Sequence, residues 1–451
     1  MTDLHKRARL ICVPSRMAIV AGAMLTGGIV LAPAQAADLG GDCCTDLEER
    51  VAELEATSVR HARRQMRLVM SGHVHSSLLF WDNGEESDIY VIDNDESSTR
   101  LNLRFTGTAV PGVTVGGQIE IDFETAVGGR ISENDNDDGD LNDINVRRAE
   151  WFVRSDFGTV SVGQGSTASD GAFEVSFTGS ALAGVGYGLA TTNIGGFRIF
   201  NKTEGVYENI TWGSTGTNSD AGRTNRVRYD TPTFAGFTAS AAWGEDDEWD
   251  VALRYANEFN GVRVAAAAAY RFSGDDNGSR GRPGDGPCTN GSSTGSINGE
   301  DCVEFESYGG SIALQHVPSG LHVAGGYNER TNNDFFTVGA NTFEFPKFTH
   351  WWGAAGITFR ATSLGTSDIS IQYIQNDTDQ LELSGPVANP QADQTTYRNY
   401  GIAFSQNVDS LGGATVYFSY NRHELETDAI TPDQDLEAEF DQVLTGMRVR
   451  Y

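Results

Sequence analysis

The sequence predicts an all-β protein: a 16-stranded antiparallel transmembrane β-barrel with long outer loops and a short N-terminal periplasmic coiled-coil helix. Three observations predict this fold class. The chain carries a secretory signal, it contains many short segments that alternate apolar and polar residues, and short and long connections alternate between those segments. An exported chain whose strands have one apolar and one polar face suits a closed barrel with lipid outside and water inside.

Residues 1–36 are predicted to be a signal peptide. A basic region, Lys6 to Arg16, precedes an apolar run from Met17 to Leu31 and a small-residue cleavage site at Ala34 to Ala36. A retained anchor is the disfavoured alternative, because the run is shorter than the roughly 20 residues that span a bilayer as a helix. The whole chain has a formal charge of −30, and removing the four basic and one acidic residues of the signal leaves −33.

Residues 37–66 are predicted to form a short periplasmic coiled coil. Leu47, Val51 and Leu54 follow the a/d spacing of a heptad, with glutamates and arginines beside the seam. Two heptads are marginal alone, so the segment indicates an oligomer whose N-termini meet. A single amphipathic helix or a linker is the alternative.

The rest of the chain, 67–451, is predicted to be the barrel. In VTVGGQIEIDFE (113–124) Val, Ile and Phe alternate with Thr, Gln, Glu and Asp, which is the period of a strand with one apolar face. Sixteen such candidates lie at 67–81, 99–110, 112–124, 142–156, 157–165, 222–233, 235–244, 249–259, 261–273, 305–318, 320–330, 345–363, 366–376, 394–408, 412–423 and 438–451.

The connections between these strands alternate in length. Short ones such as Pro111-Gly112 and Asn260-Gly261 contain residues that suit tight turns, and the others are mostly long and acidic or Gly-rich. Short periplasmic turns, longer outer loops and an even strand number are typical of bacterial outer-membrane barrels. Sixteen strands leave a water-filled lumen, whereas eight would be filled by side chains.

The acidic residues are concentrated in the predicted outer loops, for example in ENDNDDGD (133–140). This charge excludes nucleic acid as a partner, since phosphate binding needs a basic face. Solvated loops are the favoured interpretation, and a divalent cation in this run is the alternative. The run does not fit an EF-hand, because Asn145 stands where a bidentate Glu is required. No Cys/His spacing predicts a metal site, and no cofactor is expected.

Four cysteines lie outside the signal peptide. Cys288 and Cys302 are predicted to close a Gly/Ser-rich loop with a disulfide, as an oxidising compartment permits. Cys43 and Cys44 are adjacent, and their pairing, including links between neighbouring chains, stays open.

Together these segments resemble the trimeric general porins of Gram-negative bacteria, most closely those of alphaproteobacteria. The resemblance is carried by LVMSGHVHSSLLFWD (68–82), STRLNLRFTGTAV (98–110), NVRRAEWFVRSDFGTVSVGQG (145–165) and NRVRYDTPTFAG (225–236). It implies a homotrimer in contact with outer-membrane lipids and lipopolysaccharide. It also implies an outer-membrane location and passive diffusion of small hydrophilic solutes and ions.

In that family the third outer loop folds into the lumen and faces a wall of arginines. The matching loop here is 166–221, which offers Asp170 and Glu174 as acids for a constriction. Strand alternation independently places arginines of the matching strands in the lumen, because the residues between them are apolar and face lipid. The predicted arginines are Arg100, Arg104, Arg148, Arg226 and Arg228.

Alternatives remain at this point. A surface adhesin or envelope-tethering barrel with incidental pore activity is the second hypothesis, suggested by the coiled coil. An enzyme is not expected, because His73, His75 and Ser77 are predicted to face the lumen and no motif frames a nucleophile. Aromatic residues such as Trp81 and Trp151 are predicted to form girdles at the membrane interfaces. The sign of the ion preference stays open, since the loops favour cations and the arginines favour anions.

Overall fold

A computed structural model describes ten segments of the chain, and the statements below concern these segments. They are residues 66–136, 143–215, 222–244, 248–274, 305–332, 335–338, 341–344, 347–379, 392–429 and 436–451. The predicted signal peptide, the predicted coiled coil up to residue 65 and the predicted Cys288–Cys302 disulfide lie outside the described residues.

The described residues form 21 strands. In chain order they are β1 (Arg67–Asp82), β2 (Ser87–Asp93), β3 (Arg100–Val110), β4 (Val113–Glu124), β5 (Asp143–Ser155), β6 (Gly158–Ser166), β7 (Arg198–Asn201), β8 (Val206–Thr211), β9 (Arg223–Asp230), β10 (Phe237–Gly244), β11 (Trp249–Phe259), β12 (Val262–Ser273), β13 (Phe305–His316), β14 (Leu321–Asn332), β15 (Phe335–Val338), β16 (Asn341–Glu344), β17 (Phe348–Thr362), β18 (Gly365–Asp379), β19 (Ala392–Val408), β20 (Ala414–Ala429) and β21 (Leu436–Arg450).

Sixteen of these strands form a closed antiparallel barrel, as the sequence predicts. Each pairs with its neighbours along the chain, and β21 pairs with β1 to close the ring. Near the C-terminus, Tyr451 N donates to Gly72 O at 3.0 Å, which extends that last pairing. Within the described ranges, no helix is both long and apolar enough to cross a membrane.

The other five strands belong to the outer loops. The first hairpin is split, because the second half of β1 pairs with β2 while its first half pairs with β3. β7 pairs with β8 in the third loop, and β15 pairs with β16 in a later one. The sequence patterns did not predict these extra strands, because each is short and belongs to a loop rich in polar residues.

The tight turns lie where the sequence predicts them. Asn260 and Gly261 both have positive φ, at 49° and 79°, which is the conformation of a two-residue hairpin turn that suits Asn-Gly. Gly112 has φ 81° in the turn between β3 and β4. These turns fix where each strand ends and therefore the register of the next strand.

Side chains alternate between the two faces of the wall. On β11 the side chains of Val251 and Leu253 are exposed on the outside, whereas Ala252 between them is buried inside. An outer face of exposed Val, Leu, Ile, Phe and Trp is costly in water and suits lipid. The inner face carries the charged and polar groups of the lumen.

Part of the lumen is filled by an apolar core that the sequence patterns do not predict. Trp81 was predicted to join an interfacial girdle, and that prediction is wrong: it is 3% exposed and lies inside the barrel. Its ring centroid lies 4.9 Å from that of Phe197, which comes from the third loop, and Phe197 also contacts Phe440 on β21. Trp81 faces inward because it follows His75, Ser77 and Leu79 on the inward side of β1, and the third loop supplies the apolar surface that it packs against.

Candidate functional site

The described part of the third outer loop, residues 167–215, runs inside the barrel along its wall. At its start, Asp250 on β11 accepts hydrogen bonds from Ala168 N at 3.1 Å and Ser169 N at 2.6 Å. Further along, Trp352 Nε1 on β17 donates to Phe173 O at 2.9 Å. A buried carboxylate that accepts two backbone N–H groups fixes the loop where it leaves the strand.

The loop then follows the wall past β18. Asp368 on β18 accepts a hydrogen bond from Ser180 Oγ at 2.8 Å, and Gln372 Nε2 donates to Gly184 O at 2.9 Å. On the far side, Asn94 Nδ2 donates to Leu182 O at 3.0 Å, which joins this loop to the first outer loop. The third loop therefore covers one part of the inner wall and leaves the other part open to water.

The return path of the loop is held by an ion pair. Glu133 lies in the acidic run considered above as a cation site, and its carboxylate accepts from Arg198 Nε at 2.6 Å. Arg198 begins β7 of the third loop. Glu133 thus stabilises the loop. Residues 137–140 of the acidic run lie outside the described residues, and among the described ones no group of three or more His, Cys, Asp or Glu is arranged to hold a metal ion.

A water-accessible cavity of about 660 Å³ lies between the open wall and the start of the third loop. Strands β3 to β6 and β9 to β11 supply the wall, and Asp170 and Gly171 supply the loop side. Its charged lining consists of six arginines and three acids: Arg104, Arg148, Arg154, Arg226, Arg228, Arg254, Glu150, Asp170 and Asp230. The lining therefore carries a formal charge of +3 within a strongly acidic protein.

Arg148 and Arg226 share one carboxylate. Arg226 Nη2 lies 2.6 Å from Glu150 Oε2, and Arg148 Nη1 lies 3.4 Å from Glu150 Oε1. Arg226 also donates from Nε to Ser166 O at 2.9 Å. These contacts join β5, β6 and β9 where the third loop begins, so Arg226 is held in place and partly neutralised.

Arg228 is tied in a similar way. Its Nη2 lies 2.7 Å from Asp230 Oδ1 on the same strand, and its Nη1 donates to Thr167 O at 2.5 Å. A guanidinium that binds both a carboxylate and a loop carbonyl positions the loop beside the wall. Arg228 therefore lines the cavity with much of its charge compensated.

Three other arginines of the cavity have no carboxylate within salt-bridge distance among the described residues: Arg104, Arg154 and Arg254. The guanidinium carbons of Arg104 and Arg154 lie 5.4 and 5.7 Å from the ring centroid of Phe152. Arg254 Nη2 donates to Asp170 O at 2.8 Å, while its Nη1 is buried without a hydrogen-bond partner in the described residues. Arg104 and Arg154 therefore present their charge to the cavity without a direct ion pair, and Arg254 is compensated only at longer range by Asp170, Asp230 and Asp250.

Arg100 lies outside the cavity lining, in a neighbouring group on the inner wall. Its Nη1 lies 3.6 Å from Glu120 Oε1, and its Nε lies 3.5 Å from Asp122 Oδ1. Arg147 contacts the same two carboxylates at 3.0 Å each. Arg147 is not among the arginines predicted for the lumen, because strict alternation of β5 places it on the lipid face.

The two loop acids lie in different places. Asp170 lines the cavity, whereas Glu174 lies near Glu96 of the first loop. Burial raises the pKa of the Glu96 carboxyl well above its ordinary value, and the charges of Asp95 and Glu174 raise it further. Glu174 therefore acts electrostatically on the contact between the first and third loops.

The histidines considered for catalysis are enclosed. His75 is fully buried, with its Nε2 2.6 Å from Tyr417 Oη and its Nδ1 3.0 Å from Ser97 O. Ser77 Oγ lies 2.5 Å from the same Tyr417 hydroxyl. These groups face inward, as predicted, and they hold the first loop against the wall.

A family model described as Gram-negative porin matches residues 70–442 of the chain. No curated protein sequence matches the chain at a significant level.

Solved structures with the same fold include two bacterial outer-membrane proteins. An anion-selective porin from Comamonas acidovorans is 13% identical, with 86% of this chain and 100% of that chain covered and a TM-score of 0.52. A loop L8 deletion mutant of OmpT, an outer membrane protein of Vibrio cholerae, is also 13% identical, with 86% and 99% covered and a TM-score of 0.51. At this identity the likeness shows the fold alone.

Proposed function

Because the chain belongs to the Gram-negative porin family, we propose that the arginine-lined cavity is the constriction of its channel. The protein lies in the outer membrane and forms a water-filled path for the passive diffusion of small hydrophilic solutes. The charged side chains of the constriction include the predicted Arg104, Arg148, Arg226, Arg228 and Asp170, and also Arg154 and Arg254, which the sequence analysis did not select. Arg100 acts from the adjoining wall, and Glu174 acts through the position of the loop.

The channel prefers anions. The observation that carries this proposal is the excess of six arginines over three acids in the cavity lining, with three of the arginines lacking a carboxylate partner in the described residues. Charges crowded in a narrow lumen act on a permeating ion at short range. Exposed loop acids more than about 8 Å away are largely screened at physiological salt, so they affect the choice of ion less.

The proposal extends to the assembly. We propose that the protein is a homotrimer, as its family supports. We also propose that it contacts outer-membrane lipids and lipopolysaccharide, as the exposed apolar side chains of the outer wall support. Its activity is transport without chemistry, since the polar groups that suggested catalysis hold the first loop in place.

Reconstitution in a planar bilayer tests this function. The purified protein should give stable conductance steps, and a potassium chloride gradient should give a reversal potential of the sign expected for chloride preference. Absence of conductance from a correctly folded barrel would refute the channel. A cation-selective conductance would refute the anion preference while leaving the channel intact.

A further inference from the structure

β5 contains one residue more than the segment of β4 that it faces. Glu120 on β4 pairs with Arg148, but the next residue, Ile121, pairs with Val146. Arg147 is therefore the extra residue of a β-bulge. Such a bulge interrupts the alternation of a strand and redirects a side chain.

The bulge turns two consecutive arginines into the lumen. On the outer face, Val146 and Trp151 are 53% and 51% exposed, which shows that the strand alternates normally on both sides of the bulge. Arg148 faces the cavity. Arg147 also faces inward, because its Nε lies 3.0 Å from Glu120 Oε1 on the inner wall.

Arg147 completes a group in which two cations balance two anions. Glu120 and Asp122 are 9% and 1% exposed, and both carboxylates are contacted by Arg100 and by Arg147. With both arginines the formal charge of this group is zero. Without Arg147 it would be −1, on a wall with little water to screen it.

The group acts on the same solutes as the cavity. Gln118 lies on the cavity lining, and Glu120 and Asp122 follow it on the inward face of β4. An uncompensated carboxylate there would attract cations toward the constriction and offset the positive charge of the cavity.

We propose that Arg147 is a specificity-determining residue of the channel. The bulge brings it into the lumen, where it neutralises Glu120 and Asp122, and the adjoining cavity keeps its preference for small anions. This inference rests on the proposed function and adds a residue that regular strand alternation would place against lipid.

Three variants at this position separate charge from backbone geometry. Arg147→Gln keeps the bulge and removes the charge. Deleting Arg147 removes both, and it restores regular alternation, because Val146 then precedes Arg148 directly with one facing out and the other in. Arg147→Lys keeps the charge and is the matched control.

The measurement is the chloride-to-potassium permeability ratio, obtained from reversal potentials in planar bilayers. Arg147→Gln and the deletion should each lower the ratio by roughly two- to tenfold, the range expected for one partly screened charge. Arg147→Lys should keep the ratio of the unmodified protein. The double variant Arg147→Gln/Glu120→Gln should recover most of it, because the group is then neutral again.

Wild-type ratios in both Arg147→Gln and the deletion would overturn the inference and leave the channel function standing. If the unmodified, folded protein gives no single-channel conductance, both the proposed function and this inference are wrong. Heat-dependent migration on a gel identifies folded barrels. If Arg147→Gln alone does not fold, the permeability ratios of the deletion and of the double variant test the inference. The deletion has no bulge, and the double variant has no uncompensated carboxylate. The deletion should lower the ratio and the double variant should keep it.

Discussion

Arg226 on β9 and Glu150 on β5 form a buried ion pair, with Arg226 Nη2 2.6 Å from Glu150 Oε2. The pair spans β6, which lies between the two strands, and it stands where the third loop leaves the wall. The arginines of the lumen therefore have two roles. Some, such as Arg226, hold the wall and the loop together, and others present their charge to solutes.

Removing one partner of this pair should destabilise the barrel. Both side chains are largely buried, at 3% and 8% exposed, so Arg226→Ala should lower the free energy of unfolding by about 3 kcal/mol because Glu150 keeps a buried charge with less compensation. Thermal unfolding in detergent measures this. Arg263→Ala is the control, since its pair with Glu258 is 50% exposed on both sides and should contribute less than about 1 kcal/mol. An equal loss of unfolding free energy in Arg226→Ala and Arg263→Ala would show that the buried pair of Arg226 and Glu150 contributes no more than an exposed one.

The uncompensated arginines should control selectivity. The double variant Arg104→Ser/Arg154→Ser should shift the reversal potential toward cations, because neither side chain has a carboxylate partner among the described residues. Arg360→Ser is the control, since Arg360 lies on the exposed rim beside Asp409. The shift should persist at high salt, where rim charges are screened. A larger shift from Arg360→Ser would show that the rim selects ions.

Asp368 should set the width of the channel through the third loop. It is 2% exposed and accepts hydrogen bonds from Ser180 on the loop and from Thr358 on the wall. Asp368→Ala should release this part of the loop and let larger sugars into liposomes in a swelling assay. Asp409→Ala removes an exposed acid of the rim as the control. If Asp368→Ala admits only the sugars that the unmodified protein admits, the other contacts of the third loop hold it in place without Asp368.

The contact between the first and third loops should weaken as pH rises. The pKa of Glu96 is raised by burial and by Asp95 and Glu174. The folded state therefore holds this proton more tightly than the unfolded state, so its stabilising effect is complete below the ordinary pKa of Glu and is lost as pH rises through the raised value. Thermal stability measured between mildly acidic and alkaline pH should fall less steeply in Glu96→Gln. If thermal stability falls equally steeply with pH in the unmodified protein and in Glu96→Gln, the titration of Glu96 does not weaken the contact between the loops.

The sequence predicts the barrel well because its signals are local. Asn260-Gly261 marks a turn, and apolar residues between Arg100 and Arg104 assign both arginines to the inner face. The bulge at Arg147 is not predictable in this way, because it depends on the register in which β5 pairs with β4. The loop path is equally inaccessible, since Asp368 and Ser180 are 188 residues apart in the chain.

The reversal potential of the unmodified protein, measured at low and at high salt, tests the central claim most directly. If the arginines of the constriction govern permeation, chloride preference should appear at both salt concentrations, because short-range charges in the lumen are screened less than the acids of the loops. Cation preference that strengthens as salt is lowered would contradict this account, since it would place control with the acidic surface of the protein.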